Sequence, residues 1–162
     1  MRRALVVTAS DGAAAGARVD ASGSAVGDRL KALGFAVDRA VVADEQAAIE
    51  DVLFSGSLDH ALVVTTGGTG LTPRDVTPQA TRAVIDYEVP GLAEAMRAAG
   101  RAVTPFADLS RSIVGVRGRA LIVNLPGSPS GAVESLAAIE PVLEHALETI
   151  AGPYEHGGSG ES

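Results

Sequence analysis

The sequence predicts an α/β fold: three layers, α/β/α, around a mostly parallel sheet that carries one antiparallel hairpin strand. Three observations carry that expectation. Apolar runs of strand length, at residues 4–8, 35–42 and 61–66, alternate with stretches whose apolar residues recur at helical spacing. Strand–helix repetition of this kind needs right-handed crossovers and gives a parallel sheet. Later, two strand-like runs at 113–116 and 120–125 are separated only by Arg117-Gly118-Arg119, a hairpin spacing.

Each element has a local reason. The first strand, 4–8, is continuously apolar and ends at Ser10-Asp11-Gly12, with a small, flexible stretch from Gly12 to Gly16. The helix after it places Val26, Leu30 and Leu33 on one face, with Ser22 or Ser24 as its cap and Gly34 as its stop. The second strand alternates at Phe35 and Val37 and ends before Asp44, which opens a helix bearing Ala48, Ile49, Val52 and Leu53 and closed by Gly56. The third strand, 61–66, feeds a glycine loop that ends at Thr77-Pro78, where Thr77 suits a cap and Pro78 the first helical position. Residues 77–87 and about 92–100 read as helices split by Pro90-Gly91, and Thr104-Pro105-Phe106 as a loop. Pro126-Gly127-Ser128-Pro129 repeats the strand, turn and capped-helix design, and Pro141 should kink the last helix or begin another. Residues 1–152 read as one domain and 153–162, polar and Gly-rich, as a disordered tail.

Composition excludes several functions. The net charge of -7 argues against a basic nucleic-acid face. The absence of Cys removes disulfides and thiolate metal sites. Aromatic residues make up only 3% of the chain, so Ala, Val, Leu and Ile must fill the core. No run approaches the roughly 18 apolar residues of a membrane span, and Met1-Arg2-Arg3 is followed by a strand-length run; a cytoplasmic protein is expected. His60, His145 and His156 show no metal-ligand spacing, and no G-x-S-x-G elbow is present.

The chemistry gathers where strands end. In an open α/β sheet, ligands bind beyond the carboxyl ends of the strands. Four polar groups fall at such ends: Ser10-Asp11; Asp44; the loop Gly67-Gly68-Thr69-Gly70 with Arg74 and Asp75; and Pro126-Gly127-Ser128. Each has a structural reading as well, since Asp44 and Ser128 suit helix caps and Asp75 a turn. Side-chain-free backbone lets an anion approach amide groups, and the following helix N-terminus adds positive potential. The loop is neither a Walker A, because Gly70 is followed by Leu71, nor a dinucleotide fingerprint, because Pro73 stands near the third glycine position. Two anion-binding loops and two carboxylates suit a phosphate-bearing ligand with Mg²⁺, which shares its ligands between carboxylate and phosphate.

The stretch Thr66-Gly67-Gly68-Thr69-Gly70 with Arg74-Asp75-Val76-Thr77-Pro78 resembles the signature of the MogA/MoaB molybdopterin-binding family, which includes the G domain of gephyrin. Thr8-Ala9-Ser10-Asp11, Asp20-Ala21-Ser22-Gly23, Thr104 to Arg111 and Asn124 to Pro129 agree with further family motifs; Val42-Ala43-Asp44-Glu45 agrees with Ala43 in place of the usual Pro. The resemblance implies a molybdopterin adenylyltransferase of molybdenum cofactor biosynthesis, with ATP and molybdopterin as substrates and Mg²⁺ as cofactor; a non-catalytic pterin-binding paralogue is the alternative. It implies catalytic roles for Asp44 and Asp75, with Asp44 also the Mg²⁺ ligand. It implies substrate contacts from Ser10, Asp11, Ser22, Gly67, Gly68, Thr69, Gly70, Arg74, Ser110, Arg111, Pro126, Gly127 and Ser128. A homotrimer and a molybdenum insertase partner are further implications, with neither nucleic acid nor membrane as partner.

Overall fold

A computed structural model describes residues 1–153, so the expected tail lies, apart from Pro153, outside the described residues. Element order is β1 (Arg3–Ala9), α1 (Asp11–Ala14), α2 (Ala21–Ala32), β2 (Ala36–Val42), α3 (Gln46–Asp59), β3 (Leu62–Thr66), α4 (Thr77–Val84), β4 (Tyr87–Glu88), α5 (Pro90–Arg101), a 3₁₀ turn (Pro105–Leu109), β5 (Val114–Arg117), β6 (Ala120–Leu125) and α6 (Pro129–Ala151). The six strands lie in the order β2-β1-β3-β6-β5-β4. The first four in that order run parallel, whereas β5 pairs antiparallel with β6 and β4 antiparallel with β5.

Strand alternation divides the core between two faces. Ala4, Val6, Leu62, Val64, Leu121 and Val123 face one way and pack with Val26 and Leu30 of α2, Met96 of α5 and Leu136, Ile139 and Leu143 of α6. Leu5, Val7, Val63 and Ile122 face the other way and pack with Ile49 and Leu53 of α3 and Ala80 and Val84 of α4. Because both faces are covered, the central strands read as unbroken apolar runs. Large aliphatic side chains at zero exposure, each contributing about 1.5–3 kcal/mol, make up most of this core.

Several local expectations are corrected. Asp20, not Ser22 or Ser24, caps α2: its Oδ1 accepts from Gly23 N–H at 2.9 Å, and the helix has already begun at Ala21. The cap position of α3 is Glu45, and the Asp44 carboxylate turns away from that helix. Thr77 is the first residue of α4 rather than its cap. The region read as flexible after β1 contains the short helix α1, capped by Ser10. Helix α4 stops at Val84, and Tyr87-Glu88 joins the sheet edge as β4. Helix α6 runs through Pro141 without ending. Pro141 and Ala137, whose carbonyl the missing N–H would have bonded, are both exposed residues.

Candidate functional site

The direction of sheet assembly reverses beside β1, whose neighbours are β2 on one side and β3 on the other. This is the switch point at which open α/β sheets leave a crevice. Thr8 and Thr66 stand opposite each other there, at the carboxyl ends of β1 and β3. A hollow of about 430 Å³ opens above them, lined by Ser10, Asp20, Ser22, Asp44, Gly67, Gly68, Asp75 and Gly127 among others. Asp44 and Asp75 therefore share one cavity.

The aspartates sit in different electrostatic settings. Asp11 and Asp44 exchange hydrogen bonds: Asp11 N–H donates to Asp44 Oδ2 and Asp44 N–H to Asp11 Oδ1, each at 3.0 Å. Arg74 grips Asp11 with Nε at 3.0 Å and Nη2 at 2.9 Å. Hydrogen bonding from the Asp44 backbone and from Arg74 holds the Asp11 carboxyl below its usual range. Asp44 moves the other way: burial, and then the charges of Asp11 and Asp75, push its pKa up. Asp75 closes its own loop, accepting from Thr72 N–H at 3.0 Å and from the Thr72 hydroxyl at 2.8 Å.

The glycine loop takes a path that only glycine follows easily. Gly67 and Gly68 have φ of 90° and 70°. A Cβ on Gly67 would lie 2.6 Å from the Ala9 carbonyl oxygen, and one on Gly68 would overlap the Thr77 hydroxyl. Gly67 N–H is spent on the Leu125 carbonyl at 3.1 Å, so it offers a ligand no donor. Among the described residues, the amides of Gly68, Thr69 and Gly70 donate to no protein acceptor. Arg111 holds this loop from outside: Nε donates to Gly70 O at 2.8 Å, Nη2 to Asp75 O at 2.7 Å and Nη1 to Gln79 Oε1 at 3.3 Å. The Thr77 hydroxyl is fully buried without a hydrogen-bond partner among the described residues.

The remaining expected residues divide. Ser10, Ser22, Asp44, Gly67, Gly68, Asp75 and Gly127 line the hollow. Asp11 and Arg74 do not line it: Arg74 is tied to Asp11, and Asp11 N–H to the Asp44 carboxylate on the hollow. Thr69, Gly70, Ser110, Pro126 and Ser128 line a neighbouring groove of about 320 Å³, together with Met96, Phe106 and Leu109. The Ser128 hydroxyl caps α6 by accepting from Gly131 N–H at 3.1 Å. The Arg111 guanidinium is committed to loop carbonyls, so it acts as a brace. Residues not anticipated as site components include Thr8, Arg18, Asp20 and Thr66 on the hollow and Arg39, which holds Asp20. Thr8, Asp20 and Thr66 each begin a family motif, but spacing alone does not show that they point inward. His60 is structural: its ring bridges Gly56 O at 2.9 Å and Asp38 Oδ2 at 2.7 Å.

Residues 5–145 match the family described as "Probable molybdopterin binding domain". The chain belongs to that family. A molybdopterin adenylyltransferase of Helicobacter pylori is 40% identical over 156 residues, covering 92% of this chain and 88% of that protein. The crystal structure of the molybdopterin biosynthesis enzyme MoaB from Thermus thermophilus superposes with a TM-score of 0.84 at 47% identity, covering 96% of this chain and all of that one. The Mog protein of Mycobacterium ulcerans gives 0.87 at 41% identity, over 93% and 99% of the two chains. The two solved structures share the fold described above, and the chain is a molybdenum cofactor biosynthesis family member.

The donor set bears on Mg²⁺. Among the described residues no three acidic or histidine side chains form a metal cage. Mg²⁺ in phosphate chemistry needs only one or two protein carboxylates, because the substrate supplies the rest. Asp44 fits that part: its half-buried carboxylate is crowded by Asp11 and Asp75, an excess of negative charge that a cation would relieve. No helix among the described residues is long and apolar enough to cross a membrane.

Proposed function

We propose that this chain is a molybdopterin adenylyltransferase. An oxygen of the molybdopterin terminal phosphate attacks the α-phosphorus of ATP; the bond from that phosphorus to the bridging oxygen breaks, and pyrophosphate leaves. The observation that carries the reading is the shared hollow, which brings the free Gly68 N–H together with the two carboxylates of Asp44 and Asp75. Phosphoryl chemistry of this kind asks the protein for positioning and charge compensation rather than for a nucleophile. In this reading the amide of Gly68, whose carbonyl accepts from Thr77 N–H at the start of α4, holds a phosphate in the hollow. Asp75 keeps their loop in shape through Thr72. Asp44 would hold Mg²⁺, which when bound offsets charge on the phosphates.

The finer features follow the same reading. ATP is the adenylyl donor, and the protein is cytoplasmic and works beside a molybdenum insertase. A homotrimer suits the apolar surface at Val103, Phe106 and Leu109, which are 68%, 75% and 53% exposed in the single chain. Sedimentation equilibrium giving a monomer at micromolar protein rejects the trimer.

Pyrophosphate release with ATP and molybdopterin tests the activity. Asp44→Asn and Asp75→Asn should each slow it by about 100-fold or more, the scale on which a positioned electrostatic group acts. Full activity in both variants rejects the assignment.

A further inference from the structure

One wall of the hollow carries a hydrogen-bond chain whose direction is set by its last member. Asp20 is a carboxylate gripped by Arg39 Nη2 at 2.6 Å and by Gly23 N–H at 2.9 Å. Ionised, it can only accept. The Thr8 hydroxyl therefore donates to Asp20 Oδ2, at 2.9 Å. With its single proton spent, Thr8 must accept from Thr66, at 3.2 Å. Thr66 must in turn accept from Ser22, also at 3.2 Å. Ser22 thus commits its proton to the protein interior and shows a ligand lone pairs alone. Reversing the chain would require a proton on Asp20, directly against the Arg39 guanidinium.

Gly68, which lines the same hollow, has the opposite polarity, since among the described residues its N–H donates to no protein acceptor. A phosphate, which is all acceptor, suits Gly68 N–H and finds no donor in the Ser22 hydroxyl. An amino group or ring N–H is disfavoured against Gly68 N–H and suits the Ser22 hydroxyl.

We propose that the Ser22 wall is a hydrogen-bond-accepting subsite that takes the amino group or ring N–H of a heterocycle, and that Asp20 and Arg39 are positioning residues that set its polarity. The proposal rests on the adenylyl-transfer reading for its ligands, since adenine and a pterin both carry such N–H groups.

Calorimetric titration tests this with three probes: AMP, neopterin and inorganic pyrophosphate. Wild-type protein should bind at least one of the two heterocycles. Ser22→Ala, a substitution that suits a helix interior, should weaken that heterocycle by about tenfold and leave pyrophosphate within about twofold. Thr66→Val should do the same by freeing the Ser22 proton, whereas Thr66→Ser should retain wild-type affinities. Asp20→Asn, whose amide can donate to Thr8 and turn the chain round, should lower the heterocycle-to-pyrophosphate affinity ratio; a purely structural cap would move both affinities together. The heterocycle that responds, AMP or neopterin, identifies which ring occupies the wall. Equal losses for pyrophosphate and the heterocycle, no change in any variant, or pyrophosphate binding with neither heterocycle bound each overturn the proposal. Wild-type protein that shows this selectivity but releases no pyrophosphate from ATP and molybdopterin would reject the enzyme reading and keep the subsite.

Discussion

Two strand-to-helix turns meet at the rim of the hollow and are held by different means. The turn after β6 is three residues, Pro126-Gly127-Ser128, and closes on itself through the Ser128 cap. The turn after β3 runs from residue 67 to residue 76, and its cap position, Val76, has no side-chain cap. Apart from the local Thr72–Asp75 closure, its shape comes from elsewhere: Arg111 braces Gly70 and Asp75, and Arg74 reaches back to Asp11. The short turn is a local structure. The long one is a tertiary structure, and it is the one that offers free amides to a ligand. A loop whose backbone donors are to be left for substrate cannot use them to hold itself, so distant side chains must do so.

The sharpest way to break the comparison is one methyl group in each turn. Gly68→Ala meets both a φ of 70° and the Thr77 hydroxyl. The strain alone costs about 1–3 kcal/mol, and relief requires the loop to move away from the phosphate position. Pyrophosphate release should fall by about 100-fold or more, with urea unfolding shifted by about 2 kcal/mol. In Gly127→Ala the added Cβ comes no closer than 3.4 Å, to Gly67 Cα, an ordinary contact, and unfolding should shift by less than about 1 kcal/mol. Equal shifts for the two variants would refute the distinction between the turns.

Removing the brace and the cap compares the same turns at smaller effect. Arg111→Lys keeps the charge but loses the planar fork that reaches two carbonyls at once. Each hydrogen bond to a charged group contributes about 1.5–3 kcal/mol before solvent exposure reduces it, so a loss near 2 kcal/mol is expected. Ser128→Ala removes a single cap, about 1 kcal/mol. Hydrogen exchange separates the two: Arg111→Lys should speed exchange across residues 67–76, and Ser128→Ala only at the start of α6. Faster exchange in the glycine loop of Ser128→Ala, with none in Arg111→Lys, would show that the loop is held from β6.

The same division explains how much was legible in the sequence. The strands β1, β3 and β6 are buried on both faces, so their apolar runs announce them. The convergence of the polar turns on one rim was legible too, because strand ends and glycine loops follow from chain order. Strand β4 was not: Tyr87 and Glu88 are exposed, and they pair only with Val116 and Gly115 through the backbone. The roles of Arg111 and Asp20 were also hidden. Their partners lie far along the chain or across the sheet, and residue type alone does not tell a brace from a substrate contact. At Thr8 and Thr66 a β-branched residue suits a strand in any case. Only the register that puts them opposite each other makes them a relay.

The smallest expected effect concerns charge, and it sets Asp44 against its neighbours. Burial and nearby acids raise the Asp44 pKa, so the native state holds that proton more tightly than the unfolded chain does. Between the ordinary value near 3.8 and the raised one, stability falls as pH rises, and above that window the cost is fully present. Asp11 and Asp20 have the opposite sign: Arg74 and Arg39 help to lower their pKa values, so their contribution is present above 3.8 and is lost as pH falls through their native values. Asp44→Asn should therefore unfold at a higher temperature than wild type at about pH 7, even as its activity falls, and the difference should vanish at about pH 3, where the wild-type carboxyl is protonated in both states. Thermal melts across that range decide it. A variant less stable than wild type at neutral pH would mean that the Asp44 charge is compensated within the protein, leaving no deficit for a cation to fill.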